Sequence, residues 1–304
     1  MSIRIGISSG LTAPHSPDDY WRWVDLCEEA GIDSIWHSDQ LVGPGVEPIA
    51  MLAALAARTK RLRFGTNALV VPYRDPLVVA KQFATIAFLA PGRLLPVFGV
   101  GGPFDPYWAA TGQPPKTRGQ RSNEAIILIR ALLEQENVSF TGAHFRYEGA
   151  GVSPRPAKPL PLWIGGDSEA AIQRSAAMGD GWLGGFTTPA TAADVVARIR
   201  AALLETGRSI DADHYGVTVP VRIGGAQDPA VTAQLRARLK IADDIPDADL
   251  FATGSPEQVV ALFRRFVEAG ISKFVALPIA HDPADLLEQT RLVATEILPQ
   301  VEQR

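Results

Sequence analysis

Apolar residues in this chain come in short runs closed by glycine or polar groups, and each run is followed by a longer stretch with apolar positions three and four apart. Short runs predict strands and the longer spacing predicts helices. Ile3 to Ser8 alternates and ends in Ser-Ser-Gly, a strand. Asp18 to Ala30 is helical, started by Pro17 and stopped by Gly31. Asp33 to Ser38 is the second strand, and Pro48 to Arg58 an Ala- and Leu-rich helix. Leu62 to Val71 reads as a third, continuous apolar strand, after which Asp75-Pro76 opens a helix to about Leu89. Leu94 to Val100 is a fourth strand, in which Pro96 sits awkwardly because it has no N–H to give a central ladder.

The second half repeats the scheme less evenly. Gln120 to Leu133 is helical, and "VSFTGAHFRYEG" (Val138 to Gly149) is a hairpin outside the main sheet, turning at Thr141-Gly142. Leu160 to Gly166 is a strand leading into a helix from Ser168 to Met178; Asp180 to Gly185 is a very short strand before a helix from Thr191 to Glu205. Tyr215 to Ile223 is a long alternating strand, and Gly224 to Thr253 a helical insert with an acidic tail. Pro256 to Ala269 carries Val259, Phe263, Phe266 and Val267 on one helical face; Ser272 to Pro278 and Leu286 to Ile297 are the last strand and helix. Repeated strand-then-helix units imply parallel strands joined by helical crossovers, and near-continuous apolar strands imply cover on both faces. Eight such units with no linker predict an α/β fold, a single (β/α)8 TIM barrel over residues 1–304 with insertions at about 103–158 and 224–254. The first strand lacks the glycine-rich turn of a dinucleotide fold.

Composition narrows this little. With 46% hydrophobic and 20% charged residues and a net charge of -4, the chain is a well-packed protein without the clustered Lys and Arg of a nucleic-acid binder. No apolar run reaches a membrane span, the first strand begins almost at once, and a cytoplasmic protein is the simplest reading. The single Cys27 lies among Trp23, Val24 and Leu26 and reads as a core thiol.

In a barrel of this kind ligands sit where strands end. Polar groups and glycines recur there: "SSG", "HSDQ", "GTNALVVPYRDP", "GVGGPFD", "GGDS", "GGFTT" and "PIAHD". His37 and Asp39 share one face of the second strand, and Gln40 follows; by pattern alone His37 is as readily a core histidine as a functional one. Thr66, Asn67, Gly101 and Gly102 end the next two strands. Gly165 and Gly166 would let backbone approach a ligand, with Asp167 or Ser168 capping the helix behind and its free N–H groups able to cradle a phosphate; a plain glycine turn with an N-cap explains the same letters. Gly184 and Gly185 carry the same two readings. Phe98, Phe104, Tyr107, Trp108, Trp182 and Phe186 are candidates for an apolar mouth or ordinary core and surface rings. Arg118 and Arg121 open a helix near the insertion, and His15 lies on the first loop. No cluster has the spacing of a tight metal site, there is no nucleophile elbow, and nothing pairs two rim carboxylates as a glycosidase would need.

The blocks "AGIDSIWHSDQL", "EPIAMLAALAARTKRLRFGTNALVVPYRDPLVVAKQFATIAFLAPGRLLPVFGVG", "RGQRSNEAIILIRALL" with "VSFTGAHF", "LPLWIGGDSEAAIQRSAAMGDGW" and "ATGSPEQVVALFRRFVEAGISKF" occur in this order. Together they resemble the bacterial-luciferase-like oxidoreductases, and within them the branch of probable coenzyme F420-dependent enzymes. The resemblance implies a luciferase-like barrel, a deazaflavin or FMN at the C-terminal face, and commonly a homodimer. It further implies a non-proline cis peptide near Gly65 to Leu69 under the cofactor ring, and a phosphate end at Gly165-Gly166 with Gly184-Gly185 on the same side. Hydride transfer between F420 and a small organic substrate is the expected reaction. The alternatives are an FMN monooxygenase using reduced flavin and O2, with a separate reductase supplying reduced cofactor, and a flavin-binding protein without catalysis. Many relatives have a histidine, tied to proton handling, directly after the aspartate that ends the second strand. This chain has Gln40 there, which cannot act as acid or base near neutral pH.

Overall fold

Proline sets the start of most helices. Pro17, Pro48, Pro76, Pro189, Pro256 and Pro283 each lie in a first turn, where the missing N–H has no intrahelical partner to lose. The residue before each, Ser16, Glu47, Asp75, Thr188, Ser255 or Asp282, accepts a first-turn N–H with its side chain. This cap-then-proline pair recurs after strand ends and fixes where the chain turns back.

The computed structural model describes residues 2–9, 16–42, 45–224, 232–233, 235–237 and 245–303. The strands are β1 (Arg4–Ser8), β2 (Ser34–His37), β3 (Arg63–Thr66), β4 (Leu69–Val70), β5 (Leu94–Leu95), β6 (Val97–Gly99), β7 (Val138–Thr141), β8 (Arg146–Ala150), β9 (Trp163–Gly165), β10 (Gly181–Gly184), β11 (Tyr215–Ile223), β12 (Ala252–Gly254) and β13 (Lys273–Pro278). The helices that matter below are α1 (Pro17–Glu29), α2 (Pro48–Arg58), α3 (Pro76–Leu89), α4 (Tyr107–Thr111), α5 (Arg118–Glu134), α6 (Glu169–Met178) and α7 (Pro189–Thr206), followed by Pro256–Glu268 and Pro283–Leu292.

The chain groups into two compact units, His37–Trp182 and the two chain ends, Met1–Trp36 with Leu183–Arg304. In the unit of the chain ends, β11, β13, β1 and β2 pair in parallel, with Val217 opposite Phe274, Phe274 opposite Ile5, and Ile7 opposite Ile35. Phe263 and Phe266 from Pro256–Glu268 stack on Phe274, and Trp23 of α1 donates to Thr290 Oγ1 at 2.9 Å. Lys273, a cation inside this core, pairs with Asp33 and lies over Trp36, so burial is matched by an opposite charge.

In the unit His37–Trp182 two expected continuous strands are each split. Leu62 to Val71 becomes β3 and β4, separated by a cis peptide at Asn67-Ala68, and Leu94 to Val100 becomes β5 and β6, separated at Pro96. The breaks match: β3 pairs with β5, whereas β4 pairs with β6 and β6 with β9. Thr66 bridges the gap, its hydroxyl donating to Val97 O at 2.8 Å and accepting from Val97 N at 2.9 Å. Leu160 to Leu162 does not join its strand, which begins at Trp163. The hairpin β7–β8 is held to α5 by Glu124, whose carboxylate accepts from the backbone of Ala143, His144 and Phe145. The helix expected from Leu286 to Ile297 begins earlier, at Pro283, because Asp282 caps it, and passes into a π-helical turn over Val293–Ile297. His15 and part of the expected insert at 224–254 lie outside the described residues; its described end forms β12 beside β11.

Candidate active site

Parallel strands end on one edge. In the unit His37–Trp182 the register aligns Leu69, Phe98 and Ile164, so the segments after Val70, Gly99 and Gly165 leave from the same side. The end of β2 joins them, since His37 O accepts from Asn67 N at 2.8 Å. His37, Asp39, Gln40, Thr66, Asn67, Gly101, Gly102, Gly165, Gly166, Asp167 and Ser168 all belong to this unit.

The end of β2 is built around a guanidinium. Asp39, with a side chain 0% exposed, accepts from Arg74 Nη1 at 2.5 Å, from Arg74 Nη2 at 2.9 Å and from Val70 N at 2.8 Å. Arg74 reaches on to Glu47 at 3.1 Å, and Glu47 caps α2. Burial works against the Arg74 charge, but the two carboxylates outweigh it and raise its pKa. His37 is 4% exposed, and burial pushes its imidazole down to about 4. It is a neutral side chain at neutral pH, enclosed in the strand layer. Gln40 is half-buried beside Gly45. Of these three residues, Asp39 is enclosed, His37 is neutral and buried, and Gln40 does not titrate.

The end of β6 is organised by Asp105. Its Oδ2 accepts from Gly102 N at 2.6 Å and from the Tyr73 hydroxyl at 3.2 Å, while Trp108 Nε1 donates to Gly102 O at 2.8 Å. Burial and then the neighbouring Asp105 charge raise the Tyr73 pKa, so the phenol stays protonated and donates. The Tyr73 and Trp108 rings meet edge-on at 4.5 Å. Gly101 has φ +70, and a Cβ there would come within 2.9 Å of Val70 Cγ1 and 3.1 Å of the Tyr73 hydroxyl; only glycine fits this turn. Gly99 faces Ala68, where a Cβ would just touch at 3.4 Å. The edge thus has small groups where Ala68 meets Gly99, while at Gly101 and Gly102 the side chains of Val70, Tyr73 and Asp105 pack closely on the turn.

At the end of β9, Trp182 Nε1 donates to Gly166 O at 2.7 Å and fixes the Gly165-Gly166 turn. Ser168 caps α6, accepting from Ala171 N, and Gly166 through Ala170 are exposed. Asp167 adds a negative charge at this helix start. Gly184 and Gly185 belong to the other unit, where Gly184 is buried in β10 and Gly185 is exposed with open space beside it.

The aromatic candidates divide. Phe98 is core, stacked on Phe83; Trp108 and Trp182 are buried and each holds a glycine carbonyl; Phe186 and Tyr107 are half-buried; Phe104 is 92% exposed. Arg121 donates to Pro72 O at 3.1 Å and lies over Phe145, and Arg118 donates to Pro115 O at 3.0 Å. Cys27 is buried in α1. Sequence reasoning overlooked Arg74 and Tyr73. Their signal was present in "VVPYRDP", where two polar side chains interrupt an apolar run, but nothing in the spacing showed that Arg74 reaches Asp39. Among the described residues, Asp211, Asp213 and His214 bring three ligand atoms within 4.8 Å of one another on the surface. No described helix is long and apolar enough to cross a membrane.

The model of the luciferase-like monooxygenase family matches residues 1–240. An F420-dependent glucose-6-phosphate dehydrogenase of Beutenbergia cavernae is 30% identical over 99% of this chain and 98% of its own length. Among solved structures, an F420-dependent secondary alcohol dehydrogenase in complex with an F420-acetone adduct superposes with a TM-score of 0.86 at 20% identity over 100% of both chains. The FMN-bound oxygenating constituent of 3,6-diketocamphane monooxygenase from Pseudomonas putida superposes with a TM-score of 0.81 at 17% identity over 100% of both chains. The fold is thus the α/β luciferase-like one, with the largely parallel sheet that the alternating pattern predicted. A family match over most of the chain, together with a relative aligned along nearly all of it, shows that the protein belongs to the luciferase-like family of flavin- and deazaflavin-dependent oxidoreductases.

Proposed function

We propose that the protein is an F420-dependent oxidoreductase that moves hydride between the deazaflavin and a small organic substrate. The observation that carries this reading is the end-to-end likeness to an F420-dependent dehydrogenase at 30% identity. The site fits such a cofactor. A flat ring needs a wall of small groups, and Ala68 with Gly99, which face each other at the strand ends, offer one. A phosphate needs N–H donors on a turn that backbone can reach closely, and Gly165, Gly166 and Ser168 at the start of α6 offer that. Asp167 would oppose the anion unless its exposed carboxylate turns away.

The deazaflavin, when bound, supplies or accepts hydride at its central ring. The chain's own residues bind and orient. Thr66 and Asn67 set the wall at the break between β3 and β4. Asp39 acts through Arg74 and the Val70 N–H, as a positioning residue. His37 fills the layer behind. None of His37, Asp39 and Gln40 is an accessible acid or base, so proton handling differs from relatives with histidine at the Gln40 position. The protein works in the cytoplasm as a homodimer, a reading to which the exposed Phe88 and Leu89 at the end of α3 lend an apolar contact.

The test is turnover with each cofactor. Reduced F420 is expected to be reoxidised in the presence of a ketone or enone acceptor and the purified protein, without oxygen. Oxygen-dependent product formation with reduced FMN, and none with F420, would instead support the monooxygenase reading.

A further inference from the structure

Cations gather at one helix start. The first turn of a helix carries the positive end of its dipole and favours acidic side chains or an acceptor at the cap. α5 has neither. Thr117 makes no capping bond, no acidic residue stands in the first turn, and Arg118 and Arg121 stand there instead. Arg121 is engaged, donating to Pro72 O and lying over Phe145. Arg118 is engaged only in part. Its Nη1 donates to Pro115 O at 3.0 Å, whereas its Nε is buried and has no hydrogen-bond partner among the described residues.

A third guanidinium meets this turn from α6. Arg174 is 7% exposed, and among the described residues it has no carboxylate partner; its Nε donates to the neutral Asn123 Oδ1 at 2.6 Å. Burial alone lowers its pKa, as expected of a cation taken out of water with no opposite charge beside it. Lys273, also buried, is matched by Asp33. Arg174 Nη2 is aimed at the start of α5. A Cβ on Gly119 would stand 3.6 Å from it, and no other element comes within 4 Å of that spot among the described residues. Glycine thus leaves the approach to the guanidinium uncovered.

α5 follows β6 and α6 follows β9, neighbours in one parallel ladder, so both helices start from the edge where the cofactor would lie. Arg174 lies about 9 Å along α6 from its cap Ser168, at the rise of an α-helix. A phosphate on the Gly165-Gly166 turn would have these cations just beyond it. FMN ends at its phosphate. F420 continues past it into a lactyl group and γ-linked glutamates, each with a free carboxylate. Resting on the F420 reading above, we propose that Arg118 and Arg174 bind glutamate carboxylates of the F420 tail at the start of α5, and so distinguish it from cofactors that end at the phosphate. A guanidinium fork matches a carboxylate with two parallel N–H bonds, and the tail brings the negative charge that this helix start lacks.

The experiment compares deazaflavins that differ only in the tail. The purified protein is titrated with F420 carrying two glutamates and with the form that ends at the lactyl group, following fluorescence, so that the readout does not depend on turnover. The glutamylated form is expected to bind at least about tenfold tighter, by a margin that narrows as salt is raised. Arg118→Gln and Arg174→Gln should each remove most of that margin and leave the affinity for the lactyl form unchanged, a split that a merely structural role would not produce. Arg264→Gln, at an exposed charge of Pro256–Glu268, should change neither affinity. Wild-type binding that ignores the glutamates overturns the proposal. So does an equal loss for both forms in the variants, which would put the arginines on the phosphate or in the scaffold. Failure to bind either deazaflavin is a different result, and removes the underlying functional reading.

Discussion

Asp39 shows how a residue can be placed at the right spot by sequence and still do something other than the pattern suggests. Its alternation with His37 put it on the strand face at the rim, but its carboxylate is enclosed and shared between Arg74 and the Val70 N–H. Removing one partner of a buried pair leaves the other charge unmatched, at a cost of about 3–5 kcal/mol. Arg74→Leu should therefore lower the urea-unfolding free energy by that order. Asp39→Asn on top of Arg74→Leu should recover much of the loss, and simple additivity of the two changes would show that they do not interact. His37 supplies a pH signature. Its folded pKa of about 4 lies below the ordinary value of 6.5, so the unfolded chain binds the extra proton over that interval. The stability it permits is complete above about pH 6.5 and falls as pH drops through about 4, by on the order of 3 kcal/mol. Urea midpoints measured across that range should flatten in His37→Gln; an unchanged slope would mean that other groups carry the acid sensitivity. The residue letters gave the location of these groups. Their partners were illegible because Arg74 is 35 positions from Asp39.

At the level of elements, the alternation of strands and helices was readable because cap-then-proline pairs and glycine stops are local signals. The split strands were only half readable. Pro96 announced its own break through its missing N–H. No residue letter announced the break at Asn67-Ala68; the family resemblance placed a cis peptide near Gly65 to Leu69, where it lies, and the break matches the Pro96 break across the ladder and is bridged by Thr66. That hydroxyl satisfies a buried carbonyl and a buried N–H of Val97 together. Thr66→Val keeps the shape and removes both bonds, so it should cost roughly 2–4 kcal/mol. Differential denaturation of the variant checks this. A loss below about 0.5 kcal/mol would mean that the two backbone groups find other partners.

For the whole molecule, the run of eight strand–helix units and the ordered blocks of family resemblance made the luciferase-like fold legible before any coordinates. The division into two compact units was not, since both are made of the same repeating pattern. The homodimer that the family resemblance implies is a matter for measurement. Phe88, 66% exposed, and Leu89 leave an apolar pair at the C-terminal end of α3, and exposed apolar surface of this kind suits self-association. Sedimentation should find a dimer that Phe88→Asp converts to monomer; a monomeric wild-type protein would reject it. The role of the whole site rests on which ring system it holds. The most direct measurement is a paired titration of the purified apoprotein with F420 and with FMN, following fluorescence. Saturable binding of F420 at one site per chain, much tighter than FMN, is the predicted result. Tight binding of FMN alone, or of neither cofactor, would contradict it.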